Sequence, residues 1–213
     1  MTEPFSFSAE QLDLISGLTP PDGSDAWSLD GAREIRALVK TRCIDAQSSK
    51  CCYCDRFLAT QNHRMWDVDH VVPRSTHPQF AFESLNLVAC CPDCNIAKGD
   101  TQTLVNRRRV TYPDVSAGFT LVHPHFDTYS DHIFHAELIY IPKTIKGKKT
   151  IYVCDLLRYA QKYIDWPTSI SDDRYESDVD AVVAGGPGST AVLGNLIAGL
   201  PVARSGVASE STD

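Results

Sequence analysis

The sequence has no apolar run approaching the ~20 residues that a membrane-spanning helix requires, which excludes an ordinary helical membrane protein. It has no Lys or Arg before Arg33 and carries Glu3 near its start, so the basic opening of a signal peptide is missing and the expected location is the cytoplasm. It also lacks a surplus of positive charge. Twenty Lys and Arg stand against 27 Asp and Glu, a net charge of -7, which argues against a chain that grips nucleic acid non-specifically over its whole surface. No internal repeat is present, and nothing has the form of a recognition helix or another sequence-reading module.

What is present is enough for a folded core. Apolar residues make up 43% of 213, so the chain suits one ordinary domain or a small domain with extensions. The charges are unevenly placed. Residues 1–30 hold six acids and no bases, residues 33–111 hold twelve bases and eight acids, residues 112–170 hold six of each, and residues 171–213 hold two bases and seven acids. The basic block is therefore the middle of the chain, between acidic flanks that read as solvated ends.

The pattern along the chain divides it into four parts. Residues 1–50 read as a helical lead-in. Ser8-Ala9-Glu10-Gln11 has the form of a capping box and Gly17 is a natural stop, which predicts a helix over about 8–16. Asp30 can cap a second helix through about residue 47, with Ile35, Leu38, Val39 and Ile44 along one face. Residues 51–110 show short β-like runs (57–59 and 66–72) separated by turns, then Asn86-Leu87-Val88 and a helix opened by Pro92 that runs through Lys98. Residues 111–170 predict strands at 119–122, 133–141 and 150–153, a turn at Lys146-Gly147-Lys148-Lys149, and a helix from Asp155 to about Ile164. Residues 171–213, rich in Ser, Asp, Gly and Ala, read as a flexible acidic tail with a short helix at 189–199. Within it, Gly185-Gly186-Pro187-Gly188-Ser189-Thr190 lacks the lysine of a phosphate loop and reads as a linker.

The eight cysteines carry more information. With no secretory signal a disulfide framework is not expected. Six of them lie in two clusters, Cys51-Cys52-Tyr53-Cys54 and Cys90-Cys91-Pro92-Asp93-Cys94, each containing C-x-x-C. Two such pairs can close a tetrahedral thiolate site for zinc. Cys51, Cys54, Cys91 and Cys94 are the chosen ligands, and Cys52 and Cys90 are the alternatives in register, otherwise small buried hydrophobes. Such a zinc is structural, because four thiolates leave no open position.

Between the cysteine pairs stand Asp69-His70-Val71-Val72-Pro73 and Asn86-Leu87-Val88, and Asn95 follows Cys94 directly, with Lys98 and Gly99 behind it. This order, C-x-x-C, D-H-x-x-P, N-L, C-x-x-C-N-x-x-x-K, resembles the HNH endonuclease family in its zinc-braced form. The resemblance covers residues 51–98, about a quarter of the chain, and departs from the family's three-letter name in having Asn95 at the third position.

The resemblance implies an α+β fold: a ββα-metal core with N-terminal helices and a C-terminal strand-rich extension. It also implies metal-dependent hydrolysis of DNA. His70 would be the general base, a role suited to an imidazole that is neutral near pH 7. Asp69 and Asn95 would hold Mg²⁺ or Mn²⁺ through hard oxygens, with Asp69 turned to the metal at a distorted hairpin end. Asn86 would hold the loop that orients the histidine. Arg74, Lys98, Arg107, Arg108 and Arg109 are candidates for phosphate contact, with Lys143, Lys146, Lys148 and Lys149 as a second basic finger. For Lys98 a solvated helix lysine is an equal reading. His63 and His77 read as loop residues, though a mono-zinc catalytic site using them competes. His123, His125, Asp127 and His132 read as a structural turn in preference to a second metal site.

Small HNH proteins resemble subunits of restriction and anti-phage systems, some paired with an ATPase. That implies DNA and a protein partner, with residues 112–165 and the acidic N-terminal helices as the partner surface. Two other classes stand beside this reading: a zinc-ribbon binding module without catalysis, and an HNH enzyme that cuts RNA.

Overall fold

The computed structural model describes residues 4–18, 25–60 and 62–160. The expectations for the tail at 171–213, its helix at 189–199 and linker at 185–190, and the helix end near residue 164 lie outside the described residues. In order, the helices and strands are α1 (Ala9–Gly17), α2 (Arg33–Ala46), β1 (Asp67–His70), β2 (Leu87–Cys90), α3 (Pro92–Lys98), α4 (Tyr129–His132), β3 (Ile133–Ala136), β4 (Ile139–Pro142) and α5 (Ile145–Val153). This mixture of helices and small antiparallel sheets is an α+β fold. No helix among the described residues is long and apolar enough to cross a membrane.

The N-terminal helices form where their local signals place them. Ser8 caps α1 reciprocally with Gln11. The second helix begins later than its acidic cap suggests: Asp30–Ala32 makes a short 3-10 turn before α2, which has no side-chain cap. Ile35, Val39 and Cys43 recur every fourth residue in α2 and are buried together with Ile44. Burial raises the Cys43 thiol to about 12, so it fills the apolar stripe as a neutral hydrophobe.

β1 and β2 pair antiparallel, with Asp67 opposite Cys90, Val68 opposite Ala89, Asp69 opposite Val88 and His70 opposite Leu87. The alternation of side chains gives this small sheet two different faces. Leu87 and Ala89 join Trp27, Trp66, Ala81 and the buried stripe of α2 in one core. Val88 and Cys90 point the other way, into a second core that holds the remaining cysteines of the two clusters, Leu104, Phe119, Leu121 and the residues of the extension. Gln47, just past α2, braces the back of β2 by hydrogen bonds to both the N–H (2.8 Å) and the carbonyl (2.7 Å) of Ala89.

The extension is less strand-rich than its sequence suggests. The run 133–141 is a hairpin, β3 and β4, turned at Glu137 with φ of 51°. Phe119 makes a single bridge to Leu104 in place of a strand. The lysine-rich segment is helix, not a turn, and Thr150–Val153 continues that helix instead of forming a strand. Thr144 caps it by accepting from the N–H of Gly147 at 3.1 Å. Residues 145–153 alternate apolar and polar types loosely enough to fit either period, and the cap decides between them.

Gly147 is fixed by close approach. α5 packs so tightly on the end of α4 that a Cβ at this position would overlap the carbonyl of His132. Backbone cannot rotate away as a side chain can. Gly147→Ala is therefore expected to lower stability by about 1–3 kcal/mol, although alanine is a better helix former by ~1 kcal/mol. Urea denaturation checks the sign.

The histidine-rich turn is tied by internal hydrogen bonds. Asp127 accepts from the His123 N–H (2.7 Å), Ser116 Oγ (2.5 Å) and Lys146 Nζ (2.8 Å). His123 is fully buried, its Nδ1 accepts from the His125 N–H at 3.2 Å, and its Nε2 donates to the Tyr112 hydroxyl at 2.9 Å. Lys146 is thus spent on the turn and contributes nothing to a basic finger.

Candidate active site and cysteine cluster

The two C-x-x-C turns meet. The sulfurs of Cys51, Cys54, Cys91 and Cys94 lie within 4.8 Å of one another and all four residues are buried. Tetrahedral zinc with Zn–S bonds of ~2.3 Å would separate its sulfurs by about 3.8 Å, and the Cys54 and Cys91 sulfurs are 4.0 Å apart. The cluster therefore fits a structural zinc. Burial alone would raise the Cys51 thiol, but hydrogen bonds from its neighbours within the cluster bring it well below the ordinary thiol range, while the same contacts raise the Cys54 and Cys94 thiols. Cys52 and Cys90 stay outside the cluster, and burial raises both thiols, as expected of neutral packing groups.

Positive and polar groups converge on these sulfurs from the extension. Arg158 Nη2 lies 3.2 Å from Cys94 Sγ and 3.9 Å from Cys91 Sγ, and the Tyr159 hydroxyl donates to Cys54 Sγ at 3.6 Å. No local pattern marks Arg158, because its contact with the sulfurs exists only once the extension is folded against the cluster.

Between the cysteine turns, β1 and α3 line a cleft of about 240 Å³ with Asp69, His70, Pro73, Arg74, Asn95, Lys98 and Gly99 among its walls. The strand stays regular through His70, so Asp69 and His70 leave on opposite faces. The strand shows no distortion there, and both residues line the cleft at its end.

His70 is 4% exposed and rests edge-on against Trp27, with ring centroids 4.7 Å apart. Its Nε2 faces the carbonyl of Ala81 at 3.0 Å. A carbonyl only accepts, so Nε2 carries the hydrogen and Nδ1 keeps the basic lone pair. Burial lowers the pKa of the ring below the usual imidazole value, although the Ala81 carbonyl and the Asp69 carboxylate oppose that shift. The side chain is therefore neutral near pH 7.

Asn86 is fully buried and holds the loop after β1 closed. Its Oδ1 accepts from the Val72 N–H (2.7 Å), and its Nδ2 donates to the carbonyls of Val72 (3.1 Å) and Phe80 (2.9 Å). Its own carbonyl accepts from the Val71 N–H at 2.9 Å. The Ala81 carbonyl that orients His70 directly follows Phe80, so this asparagine acts on the histidine through the loop.

Asn95, in the middle of α3, donates from Nδ2 to Asp67 Oδ2 at 3.0 Å. That bond sends the amide hydrogens to Asp67 and leaves Oδ1 as the acceptor available elsewhere, which suits a hard cation. Asp67 escaped the sequence reading, but it stands two residues before Asp69 on the same strand face, a spacing that could have flagged it. Asp69 accepts from the Tyr53 hydroxyl at 2.5 Å and pairs with Lys98 Nζ at 3.0 Å. Lys98 is 1% exposed and also donates to the His70 carbonyl at 2.9 Å. It is neither a solvated helix lysine nor free for a phosphate.

The arginines separate. Arg74 borders the cleft, but its guanidinium is paired with Asp25 and donates to Ser28 Oγ at 3.0 Å, in the N-terminal lead-in. Arg107 and Arg108 are exposed, Arg109 is half-buried, and none of the three lines the cleft. Their loop is tied to the one Asn86 closes, since His77 Nε2 donates to the Arg107 carbonyl at 3.1 Å. His77 itself is buried and stacked on Phe80, a loop residue as expected.

Residues 51–101 match the family model of the HNH endonuclease. The chain is also similar to the Septu protein PtuB of Bacillus thuringiensis, at 26% identity over 135 residues, which is 63% of this chain and 44% of that protein. The chain thus aligns with less than half of the relative's length. The D-H, N-L and C-N-x-x-x-K residues all fall inside the matched segment, on a β-hairpin followed by a helix. Residues 51–101 of this chain are a domain of the HNH endonuclease family.

Proposed function

We propose that this chain is a metal-dependent nuclease that hydrolyses DNA phosphodiester bonds in an anti-phage or restriction setting. The observation that carries the reading is His70: a buried, neutral imidazole whose tautomer is fixed by Ala81, at a cleft it shares with Asp69 and Asn95. Nδ1 of His70 takes the proton of the attacking water. Asn86 keeps the ring in place by closing the loop that carries Ala81. Asp69 and Asn95 are the residues that would hold Mg²⁺ or Mn²⁺, which supplies charge to the scissile phosphate and the leaving oxygen. The exposed Arg107 and Arg108 lie on a loop tied to the site and are the residues proposed to meet the phosphate backbone. Arg109 can follow them, while Arg74 needs release from Asp25 before it contributes.

The likeness to a Septu protein supports the defence setting and a protein partner, with an ATPase subunit as the proposed kind. Net charge of -7 favours the same view, since a chain with little intrinsic grip on DNA gains from a partner that delivers the substrate.

The test offers purified chain plasmid DNA and a matched RNA, each with Mg²⁺, Mn²⁺ or EDTA, alone and with a co-expressed partner. Metal-dependent cutting of DNA in preference to RNA is the expected result. Preferential cutting of RNA would move the substrate, and no cutting of either by zinc-loaded protein with its partner would favour a binding module.

A further inference from the structure

Tyr53 occupies the tip of the first cysteine turn, between Cys52 and Cys54. The backbone there is held on both sides. The Asp55 N–H donates to the Cys51 carbonyl at 2.9 Å, and the Tyr129 hydroxyl donates to the Tyr53 carbonyl at 3.0 Å. The Tyr53 side chain is fully buried and crosses from the cysteine cluster to the cleft, where its hydroxyl meets Asp69 Oδ2. The one other side chain bonded to that carboxylate among the described residues is Lys98, whose Nζ lies 3.2 Å from Oδ1 and 3.0 Å from Oδ2.

These two contacts act on the same carboxylate in different ways. An ammonium bridging both oxygens competes with any cation that approaches from the cleft. A hydroxyl on Oδ2 occupies one lone pair and fixes the orientation of the carboxylate without adding positive charge. We propose that Tyr53 is a positioning residue that ties the cysteine turn to Asp69 and keeps that carboxylate presented to the cleft for a divalent cation. The proposal rests on the reading of Asp69 as a metal-holding residue. It explains why a tyrosine inside a C-x-x-C turn is buried with its hydroxyl on a carboxylate in place of a carbonyl. It also ties the cysteine cluster to the cleft's geometry, since Tyr53 stands in the turn between Cys51 and Cys54.

The experiment measures Mn²⁺ binding by electron paramagnetic resonance to the full, zinc-loaded chain as wild type, Asp69→Ala, Tyr53→Phe and Tyr129→Phe. Tyr53→Phe removes one oxygen and keeps the ring. It is expected to weaken Mn²⁺ binding roughly 10- to 100-fold, the usual cost of losing a partner that orients a metal ligand, with zinc stoichiometry unchanged. Tyr129→Phe removes a hydroxyl bonded to the same turn and is expected to leave Mn²⁺ binding as in the wild type. Wild-type affinity in Tyr53→Phe, or an equal loss in both tyrosine variants, would overturn the proposal and reduce Tyr53 to packing. If Asp69→Ala binds Mn²⁺ as well as the wild type, the reading of Asp69 itself fails and the role of Tyr53 falls with it.

Discussion

Replacing His70 with alanine is expected to lower cleavage by about 10²- to 10⁴-fold, the range supplied by a positioned general base, while zinc content stays at one per chain. The magnitude follows from how completely the ring is prepared. Ala81 fixes the hydrogen on Nε2 at 3.0 Å, which leaves Nδ1 as the acceptor. Burial against Trp27 lowers the pKa below the usual imidazole value, which favours the neutral base near pH 7. Asp69 is engaged by Tyr53 and Lys98, and His77 is committed to Thr76 and the Arg107 carbonyl. The substitution also empties a buried site beside Trp27, so the comparison requires a variant that is folded by circular dichroism and zinc-loaded. Cleavage by such a variant at the wild-type rate would remove His70 from the chemistry. A zinc-ribbon binding module would survive that loss, whereas a nuclease would not.

The parts of this site that were legible in the sequence are those whose meaning is local. A capping box, a proline at the first position of α3 and a C-x-x-C spacing each act within a few residues, and each gave the element or cluster it suggested. The lysines that resist sequence reading show the opposite case. Lys98 and Lys146 look alike as exposed, cationic helix or turn residues, yet one is buried on Asp69 and the other is held by Asp127. A lysine's partner lies 29 and 19 residues away in these two cases, and no periodicity reports it. The same limit hid Trp27, which packs on His70 from 43 residues upstream, and Arg158, which reaches Cys94 from 64 residues downstream. The misplaced strand at 150–153 has a different cause. A short run of mixed apolar residues fits both periods, and Thr144 and the fit of Gly147 against His132 settle it as helix.

Removing a zinc ion held by the four-cysteine cluster is expected to have the largest effect on this protein, because the cluster lies within its main core. The four sulfurs, all buried within 4.8 Å, are surrounded by Tyr53, Val71, Val88, Cys90 and Leu156 in one apolar cluster. Thiolates in such a setting without a cation would repel one another, and thiols would leave a poorly packed polar group at the junction of β2, α3 and the extension. Structural zinc sites of this kind contribute roughly 10–16 kcal/mol of apparent binding energy in small peptides at pH 7, as large as the ~5–15 kcal/mol of net stability typical of a whole domain. Zinc removal by a strong chelator should therefore abolish the cooperative urea transition instead of shifting it, and Cys94→Ser should do the same, since it removes the sulfur to which Arg158 is closest. Cys52→Ser and Cys90→Ser separate a metal effect from a general sensitivity to cysteine loss. Both residues lie beside the cluster without joining it, so both variants should retain one zinc and a cooperative transition, with at most a modest change in midpoint. Zinc retained at full stoichiometry in Cys94→Ser, or lost in Cys52→Ser, would mean that the ligand register is wrong. Cys91 and Cys54 would then have to be replaced in turn to find which sulfurs hold the ion.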